Sequence, residues 1–278
     1  MKLSKAIKIC LDYHRNHSKP NTVRSYEAIL KKFGLIFGDK GLEEISSEDI
    51  LTFLDKITDG TKQQTKRTRY SHLAAFFNFI INNIDEQIQN PCGTQLLKKL
   101  YKANTPIQWD SFEKETIDEV IFRTTKIRNR LILELMARGG MRIGEVLKLT
   151  PDDIAGQKLI IRDPKSGREQ EVIFITQKIA DRLREYINSK NIAFNKRIFP
   201  ISYEAARFMV KKAGEMVGVR LRPHDLRRHA ATYASRAGVP IEIVSKIILR
   251  HANLSTTQMY LGKVSDSEAT RWIENLYA

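Results

Sequence analysis

Residues 222–238 read RPHDLRRHAATYASRAG and constrain the fold and chemistry of the chain more than any other stretch. Asp225 is a suitable residue for the start of a helix, because its carboxylate can accept hydrogen bonds from backbone N–H groups. His224 and Arg227 are three residues apart, so they would lie on neighbouring surface of that helix. A guanidinium suits a phosphate because it donates two parallel hydrogen bonds and stays charged at any working pH. On its own, the pair is more typical of a capped helix start than of a catalytic site.

A second basic position follows two glycines earlier in the chain. Residues 139–149 read GGMRIGEVLKL, which places Arg142 between the glycine pair and an amphipathic helix that should begin near Ile143. Glycine allows the backbone to approach a neighbour or a ligand closely, and the N–H groups at a helix start attract anions. An anion-binding arginine and an ordinary surface arginine after a helix end are about equally compatible with this pattern.

A β-hairpin is predicted between these two stretches. Residues 158–163 and 171–176 have the composition of strands, and the turn PKSGREQ joins them. Lys165 lies in this turn, where a lysine is ordinarily solvated. Its ammonium group could also reach into a DNA groove and donate a proton, and Arg168 is the competing candidate in the same turn.

The fourth informative stretch contains a tyrosine. Residues 249–262 read LRHANLSTTQMYLG, in which His251 precedes a loop and Ser255 or Thr256 can cap a short helix that carries Tyr260. A tyrosine hydroxyl with its ordinary pKa of about 10 is a poor nucleophile, so it needs cationic neighbours or a base. The chain has nine tyrosines, and any one of them is most often a half-buried core residue.

Together, the four stretches contain candidates for every part of a metal-free reaction at a phosphodiester. Such a reaction needs a nucleophile, fixed positive charge for the non-bridging oxygens, an acid for the leaving oxygen and a group that takes the nucleophile's proton. Each candidate is ambiguous when it is considered alone. Their order along one chain is what makes the set informative.

The first hundred residues predict four helices. Apolar residues recur at three- and four-residue intervals over 3–16, again from about 23 to 37, and after Ser47, which is a suitable N-cap. A longer helix should cover about 61–83, with a basic start and an apolar end. Four cations in the basic start are predicted to contact DNA phosphates: Lys62, Lys66, Arg67 and Arg69. A solvated charged face is the alternative for such a run.

Charge and cysteine content restrict the partners and the compartment. The formal net charge is +15, of which +6 falls in residues 1–105 and +9 in residues 106–278. This surplus predicts a polyanionic partner, with simple solubility as the alternative. Cys10 and Cys92 are far apart and form no CxxC pattern, so neither a disulfide framework nor a thiolate zinc site is expected. With no signal-peptide pattern and no apolar run of about 20 residues, a cytoplasmic protein without a membrane partner is expected.

In this order, the stretches resemble the tyrosine recombinase (phage integrase) family, especially its compact Xer-type members. The resemblance rests on GGMRIGEVLKLTPDDI, on the PKSGR turn and on RPHDLRRHAATYASRAGVPIEIVSKIILRHANLSTTQMY. It extends over residues 20–265 and is most specific over 222–260. It implies a mainly α (α+β) fold, with a four-helix N-terminal core-binding (SAM-like) domain at 1–102 and a linker at 103–110. A mostly helical catalytic domain with a small antiparallel β-sheet would then occupy 111–278.

The resemblance also implies a set of catalytic residues: Arg142, Lys165, His224, Arg227, His251 and the nucleophile Tyr260. Glu145 matches a frequent acidic residue after the first arginine and is expected to support it. Two features depart from the family pattern. Arg250 stands where the family usually has glycine, and we expect this added cation to contact DNA. The hairpin that carries Lys165 is short and lacks the commoner Gly-Lys-Gly form.

The implied reaction uses neither a metal nor another cofactor. Tyr260 would attack the scissile phosphate and form a 3′-phosphotyrosyl link with a free 5′-hydroxyl, which a partner duplex then reverses. Members of the family act as four protomers on two duplexes through a Holliday junction, so double-stranded DNA and self-association to a dimer and tetramer are expected. Chromosome-dimer resolution and the integration or excision of a mobile element are both open as roles. A final helix with Trp272, Ile273 and Leu276 is predicted to pack on a neighbouring protomer or on its own domain.

Three other functions are compatible with parts of this pattern. A type IB topoisomerase uses the same phosphotyrosine chemistry but only relaxes DNA, and the Xer-like spacing and the small N-terminal bundle disfavour it. A catalytically idle DNA-binding protein would lack one of the six catalytic positions, all of which have suitable residues here. A metal nuclease would need a carboxylate cluster, which Asp152, Asp153 and Asp225 do not convincingly form.

Overall fold

A computed structural model describes residues 1–102, 112–164, 169–258, 261, 270 and 273–274. The predicted linker at 103–110, both cations of the hairpin turn (Lys165 and Arg168) and Tyr260 lie outside the described residues, as does most of the predicted C-terminal helix. The chain divides into two compact units, Met1–Pro106 and Ile107–Ala278. Each unit has its own hydrophobic core.

The first unit is built from helices. They are α1 (Leu3–His17), α2 (Pro20–Phe37), α3 (Ser47–Thr58), α4 (Gln63–Asn83) and α5 (Gln95–Leu100). The four predicted helices are confirmed, but the predicted cap of α3 was wrong by one residue. Ser46 is the N-cap: its hydroxyl accepts the Asp49 N–H at 3.1 Å, and the Asp49 carboxylate accepts the Ser46 N–H at 3.0 Å. This reciprocal capping leaves Ser47 as the first helical residue.

Aromatic side chains dominate the core of the first unit. Phe33, Phe53, Phe76 and Phe77 are almost fully buried, and the ring centroids of Phe33 and Phe53 lie 4.9 Å apart in a tilted arrangement. These residues come from α2, α3 and α4, so the apolar end of α4 is a structural element. Burying a phenylalanine stabilises a fold by about 1.5–3 kcal/mol, which explains why this end is apolar while the start of the same helix stays polar.

The second unit is a helical domain with one small sheet. Its helices are α6 (Lys114–Arg123), α7 (Ile127–Ala137), α8 (Ile143–Val146), α9 (Gln177–Ser189), α10 (Tyr203–Glu215), α11 (Pro223–Arg236), α12 (Ile241–Ile243) and α13 (Leu254–Gln258). The antiparallel strands are β1 (Ile154–Ala155), β2 (Lys158–Arg162) and β3 (Gln170–Phe174), in the order β1-β2-β3. The predicted fold class and hairpin are confirmed. The two-residue strand β1 was not predicted, because it is too short to show alternation.

Helix α7 forms the centre of the second unit. All of its residues from Leu131 to Ala137 are buried, including Glu134, whose carboxylate forms an ion pair with Arg182 at 2.9 Å. Helix α11 packs against α7 and against a π-helical segment, Val244–Leu249. These contacts fix α11 beside the two loops that follow α7 and the π-helical segment. Among the described residues, none of the helices has the length and apolar composition needed to cross a membrane.

Candidate active site

Arg227 connects the loops of the candidate site. It lies on α11 with only 1% of its surface exposed. Its guanidinium donates a hydrogen bond from Nη1 to the carbonyl of Gly140 and another from Nη2 to the carbonyl of Leu249. Arg142 follows Gly140 by two residues, and His251 follows Leu249 by two residues. One buried cation therefore holds both loops that carry predicted catalytic residues.

Gly140 allows these two loops to approach closely. Its φ of 62° lies in the left-handed region, which glycine adopts without a steric penalty. A Cβ at this position would lie 2.8 Å from the carbonyl oxygen of Ile248 and 2.8 Å from its Cγ2. The close approach predicted for the glycine pair is therefore present, and the neighbour is the π-helical segment that precedes His251.

Arg142 is the N-cap residue of helix α8 and remains partly exposed, with 25% of its side chain accessible. Its backbone N–H donates to Glu145 Oε2 at 2.8 Å, and its Nη1 donates to Glu145 Oε1 at 2.5 Å. Within the described part of the chain, its Nε and Nη2 have no protein partner, so these donors are available to an anion. This geometry agrees with the expectation that Glu145 supports Arg142.

His224 lies in the first turn of α11, three residues before Arg227. Burial lowers its pKa, and the positive charges of Arg227, Arg228 and Arg142 lower it further. The imidazole is therefore neutral at pH 7. A neutral imidazole has one donor and one acceptor nitrogen, so it can bind a phosphate oxygen or relay a proton.

His251 is neutral for the same physical reasons. Burial, together with the positive charges of Arg227, Arg142 and Arg250, lowers its pKa to about 4. Its Nδ1 lies 3.0 Å from the hydroxyl of Thr257, which in turn donates to the hydroxyl of Ser245 at 2.8 Å. These hydrogen bonds connect the imidazole to the π-helical segment that contains Ser245 and orient the ring. A neutral imidazole has one unprotonated nitrogen, so His251 can accept a proton.

Arg250 does not lie where a DNA contact was expected. Only 2% of its side chain is exposed. Its guanidinium donates to Glu145 Oε2 at 2.8 Å, to Glu171 Oε2 at 3.1 Å and to the carbonyl of Ile248 at 2.8 Å. A side chain this deeply buried, with carboxylates for partners, does not fit the predicted phosphate contact.

Glu145 is the shared acceptor of the two arginines. Burial opposes its ionisation, but Arg250 and Arg142 together outweigh burial, so the pKa of Glu145 lies below its ordinary value. Its negative charge is thus kept, and it offsets part of the positive charge around the two histidines. The arrangement combines fixed guanidinium groups, which can stabilise developing negative charge, with neutral imidazoles, which can transfer protons.

Three participants were not identified from the sequence: Glu171, Thr257 and Ser245. Glu171 could have been found from its position on β3, where the alternation of side chains turns it to the buried face together with Ile173. The hydroxyl of Thr257 gave no such signal.

The basic start of α4 belongs to the first unit. Lys62, Lys66, Arg67 and Arg69 make no ion pair with an acidic side chain in the part of the chain that the structure describes. Lys62 and Arg67 are exposed, and the first turn of α4 contains no acidic residue. This concentration of unbalanced positive charge is compatible with the predicted phosphate contacts.

Among the described residues, the side chains that commonly bind metal ions do not form a cluster. Across the described ranges, no group of three or more histidine, cysteine, aspartate or glutamate side chains is arranged to hold an ion. Asp225 caps α11, where its carboxylate accepts the backbone N–H of Arg222 at 2.9 Å and a hydrogen bond from Arg228 at 3.0 Å. Asp153 pairs with Arg162 at 2.8 Å. These carboxylates have structural partners.

Comparisons with known proteins find relatives over both units. The model of the phage integrase family matches residues 111–266, and the model of the phage integrase N-terminal SAM-like domain matches residues 10–83. The chain is 30% identical over 252 residues to a tyrosine recombinase, XerA, of Pyrococcus horikoshii. This alignment covers 86% of this chain and 82% of the relative. A tyrosine recombinase of Thermosipho africanus is 28% identical over 288 aligned positions, covering 96% of this chain and 97% of the relative.

Solved structures share the fold at lower identity. An integrase of the transposon Tn1549, in complex with transposon right end DNA, matches with a TM-score of 0.76 and 17% identity over 100% of both chains. A lambda integrase tetramer bound to a Holliday junction matches with a TM-score of 0.73 and 18% identity, covering 96% of this chain and 80% of that one.

Proposed function

The chain belongs to the phage integrase family, and on that premise we propose that it is a site-specific DNA recombinase that cleaves and rejoins strands through Tyr260. The observation that carries this proposal is the double contact of Arg227 with the carbonyls of Gly140 and Leu249. It gathers Arg142, His224 and His251, which are far apart in the sequence, around one buried cation. A site for DNA binding alone would not need two neutral imidazoles beside buried arginines.

The reaction begins at the tyrosine hydroxyl. Oη of Tyr260 attacks the scissile phosphorus, so that a bond forms between the tyrosine oxygen and phosphorus while the bond from phosphorus to the 5′-oxygen breaks. The products are a 3′-phosphotyrosyl protein and a strand with a 5′-hydroxyl. The bond energy is retained in the protein–DNA link. The 5′-hydroxyl of a partner strand therefore reverses the step without ATP or a metal.

Each cationic or basic side chain has a separate part in this step. The Nε and Nη2 donors of Arg142, together with the charge of Arg227, would stabilise the negative charge that develops on the non-bridging oxygens. The neutral imidazole of His251 would accept the tyrosine proton, and His224 would hold a phosphate oxygen. We assign Lys165 as the acid that protonates the leaving 5′-oxygen.

Both units would contact double-stranded DNA. In the first unit, Lys62, Lys66, Arg67 and Arg69 are assigned to phosphates, where they would add affinity without sequence selection. The second unit would hold the scissile phosphate. We further propose a division at 1–102 and 111–278 with a linker between them, a dimer and a tetramer on DNA with a Holliday-junction intermediate, and action in the cytoplasm.

A selection for covalent products tests this proposal and finds the target sequence in the same experiment. The protein is incubated with a random-sequence library of nicked duplexes, on which cleavage traps the protein because a short 5′-hydroxyl strand diffuses away. The recovered sequence is then placed twice in one plasmid. We expect deletion or inversion products in the presence of EDTA. Relaxation of supercoils without exchanged products would support a type IB topoisomerase, and binding without any covalent product would support an idle DNA-binding protein.

A further inference from the structure

Arg250 links three segments of the candidate site from a buried position. We propose that it is a positioning residue for strand cleavage, which joins Glu145 of the Arg142 turn to Glu171 of strand β3 and thereby fixes the loop that carries His251. The inference rests on the proposed recombinase function. It adds two elements to the machinery for cleavage. They are Arg250, which stands where the family usually has glycine, and strand β3, which was not assigned to the site.

The contacts place Arg250 at the junction of these segments. Its Nη2 reaches Glu145 Oε2 at 2.8 Å, and its Nε reaches Glu171 Oε2 at 3.1 Å. Glu145 also holds the backbone and the guanidinium of Arg142. A hydrogen-bonded path thus runs from Arg142 through two carboxylates and Arg250 to β3, and it passes the residue directly before His251.

The backbone at Arg250 adopts a conformation that is unfavourable for arginine. With φ at 51° and ψ at 46°, Arg250 is in the left-handed region, which is unfavourable for residues other than glycine. Strain of this kind persists where surrounding contacts hold it. Here the contacts are the carboxylates of Glu145 and Glu171 and the carbonyl of Ile248, so the side chain maintains a turn that glycine would adopt without assistance.

Glu171 depends on Arg250 for its charge balance. The side chains of both residues are 2% exposed. Among the described residues, Glu171 Oε2 has Arg250 as its partner and Glu171 Oε1 has none. Removing Arg250 would leave a buried carboxylate without compensation, which is strongly unfavourable. Stability and positioning are therefore coupled at this pair, and an experiment has to separate them.

Two variants and one control separate the effects. Arg250→Gly removes the guanidinium and suits the left-handed backbone, so its consequences come from the lost contacts. Arg250→Gly combined with Glu171→Gln also removes the unpaired carboxylate. Asn191→Gly is the matched control, because Asn191 is an exposed residue with a φ of 49°. For each protein we would measure Tm, the Kd for a duplex target and the single-turnover rate of covalent adduct formation.

We expect Arg250→Gly to lower Tm by roughly 5–15 °C, as for a broken buried pair, and the double variant to recover most of this loss. The adduct rate should fall about 100-fold in both variants, because misplacement of a catalytic group by about 1 Å has an effect of this size. The Kd should stay within about twofold and keep its salt dependence, because a buried side chain releases no counterions. The control should change none of the three quantities.

Several results would overturn the proposal. Cleavage by the double variant at the wild-type rate would show that Arg250 only balances the charge of Glu171. A weaker Kd with a smaller salt slope would show that Arg250 contacts phosphate directly. If Arg250→Gly does not fold, the double variant decides. If wild-type protein forms no adduct, the proposed function fails instead, and the Arg250 network is judged by Tm alone. In that case, a drop in the Tm of Arg250→Gly that the added Glu171→Gln does not relieve would contradict the network.

Discussion

Arg227 and Arg142 are expected to be equally important for cleavage and very unequal for stability. Arg227 is 1% exposed and holds the carbonyls of Gly140 and Leu249, whereas Arg142 is partly exposed and holds Glu145. Replacing either residue with alanine therefore removes one guanidinium from the site. Only the replacement of Arg227 also removes buried hydrogen bonds that hold two loops. The contrast distinguishes the structural role of Arg227 from its role in catalysis.

The structure gives the size of this contrast. A buried hydrogen bond to a charged group contributes about 1.5–3 kcal/mol, so loss of the two carbonyl contacts in Arg227→Ala should lower the free energy of unfolding by about 3–6 kcal/mol. In Arg142→Ala, Glu145 keeps Arg250 at 2.8 Å and the backbone N–H of residue 142. We expect that variant to lose no more than about 1 kcal/mol. Both should slow cleavage by at least about 100- to 1,000-fold.

Three measurements on each variant test these values. Urea unfolding gives the change in the free energy of unfolding, a nicked duplex gives the rate of adduct formation, and titration of the same duplex gives its Kd. Binding should weaken less than cleavage in both variants, because most of the affinity comes from charge elsewhere. Equal destabilisation of the two variants would refute the assigned contacts of Arg227. Near wild-type cleavage by Arg142→Ala would refute its phosphate role.

Three further predictions concern pH, the hairpin lysine and the first unit. Folding lowers the pKa of His251 to about 4, whereas in the unfolded chain this side chain has the ordinary histidine pKa of about 6.5. As the pH falls below 6.5, His251 is therefore protonated in the unfolded chain before it is protonated in the folded protein. The free energy of unfolding should therefore drop by about 1–2 kcal/mol between pH 6.5 and 4, after allowance for solvent screening of a partly exposed ring. The drop should be smaller in His251→Gln, and an unchanged pH slope in that variant would contradict this. Lys165→Ala should slow cleavage about 100- to 10,000-fold on ordinary DNA but little on DNA with a 5′-thiol leaving group, which needs no acid; the same pattern in Arg168→Ala instead would reassign the acid. Joint replacement of Lys62 and Lys66 by alanine should reduce the magnitude of the slope of the log association constant for DNA against log salt concentration by about 1.8. Cleavage at saturating DNA should not slow, and an unchanged slope would exclude both lysines as phosphate contacts.

Long periodic segments were predictable from the sequence because burial and helix geometry leave a regular pattern. The four helices of the first unit and strands β2 and β3 are examples. The two-residue strand β1 and the six-residue helix α5 were not predicted, because neither is long enough for a period to appear. The π-helical segment Val244–Leu249 was not predicted either, since apolar spacing does not distinguish its hydrogen bonds from those of an α-helix.

The candidate site was predictable only where a motif stands close together in the sequence. His224 and Arg227 share one turn of α11, and Arg142 and Glu145 share the start of α8. Glu171 lies 79 residues from Arg250, so their pairing follows from tertiary packing that no local pattern records. The DNA contact expected for Arg250 did not anticipate these carboxylate partners, since a charged residue beside a motif histidine gives no sign of a buried carboxylate.

The nucleophile is the central claim, and the most direct measurement is a peptide map of the covalent adduct. Wild-type protein and Tyr260→Phe are incubated with the same nicked target duplex in EDTA, and the trapped product is digested with a protease and a nuclease. We predict an adduct for wild type alone, with the remaining nucleotide attached through a 3′-phosphate to the peptide that contains Tyr260. An equal adduct from Tyr260→Phe, or a nucleotide mapped to another residue, would contradict the account.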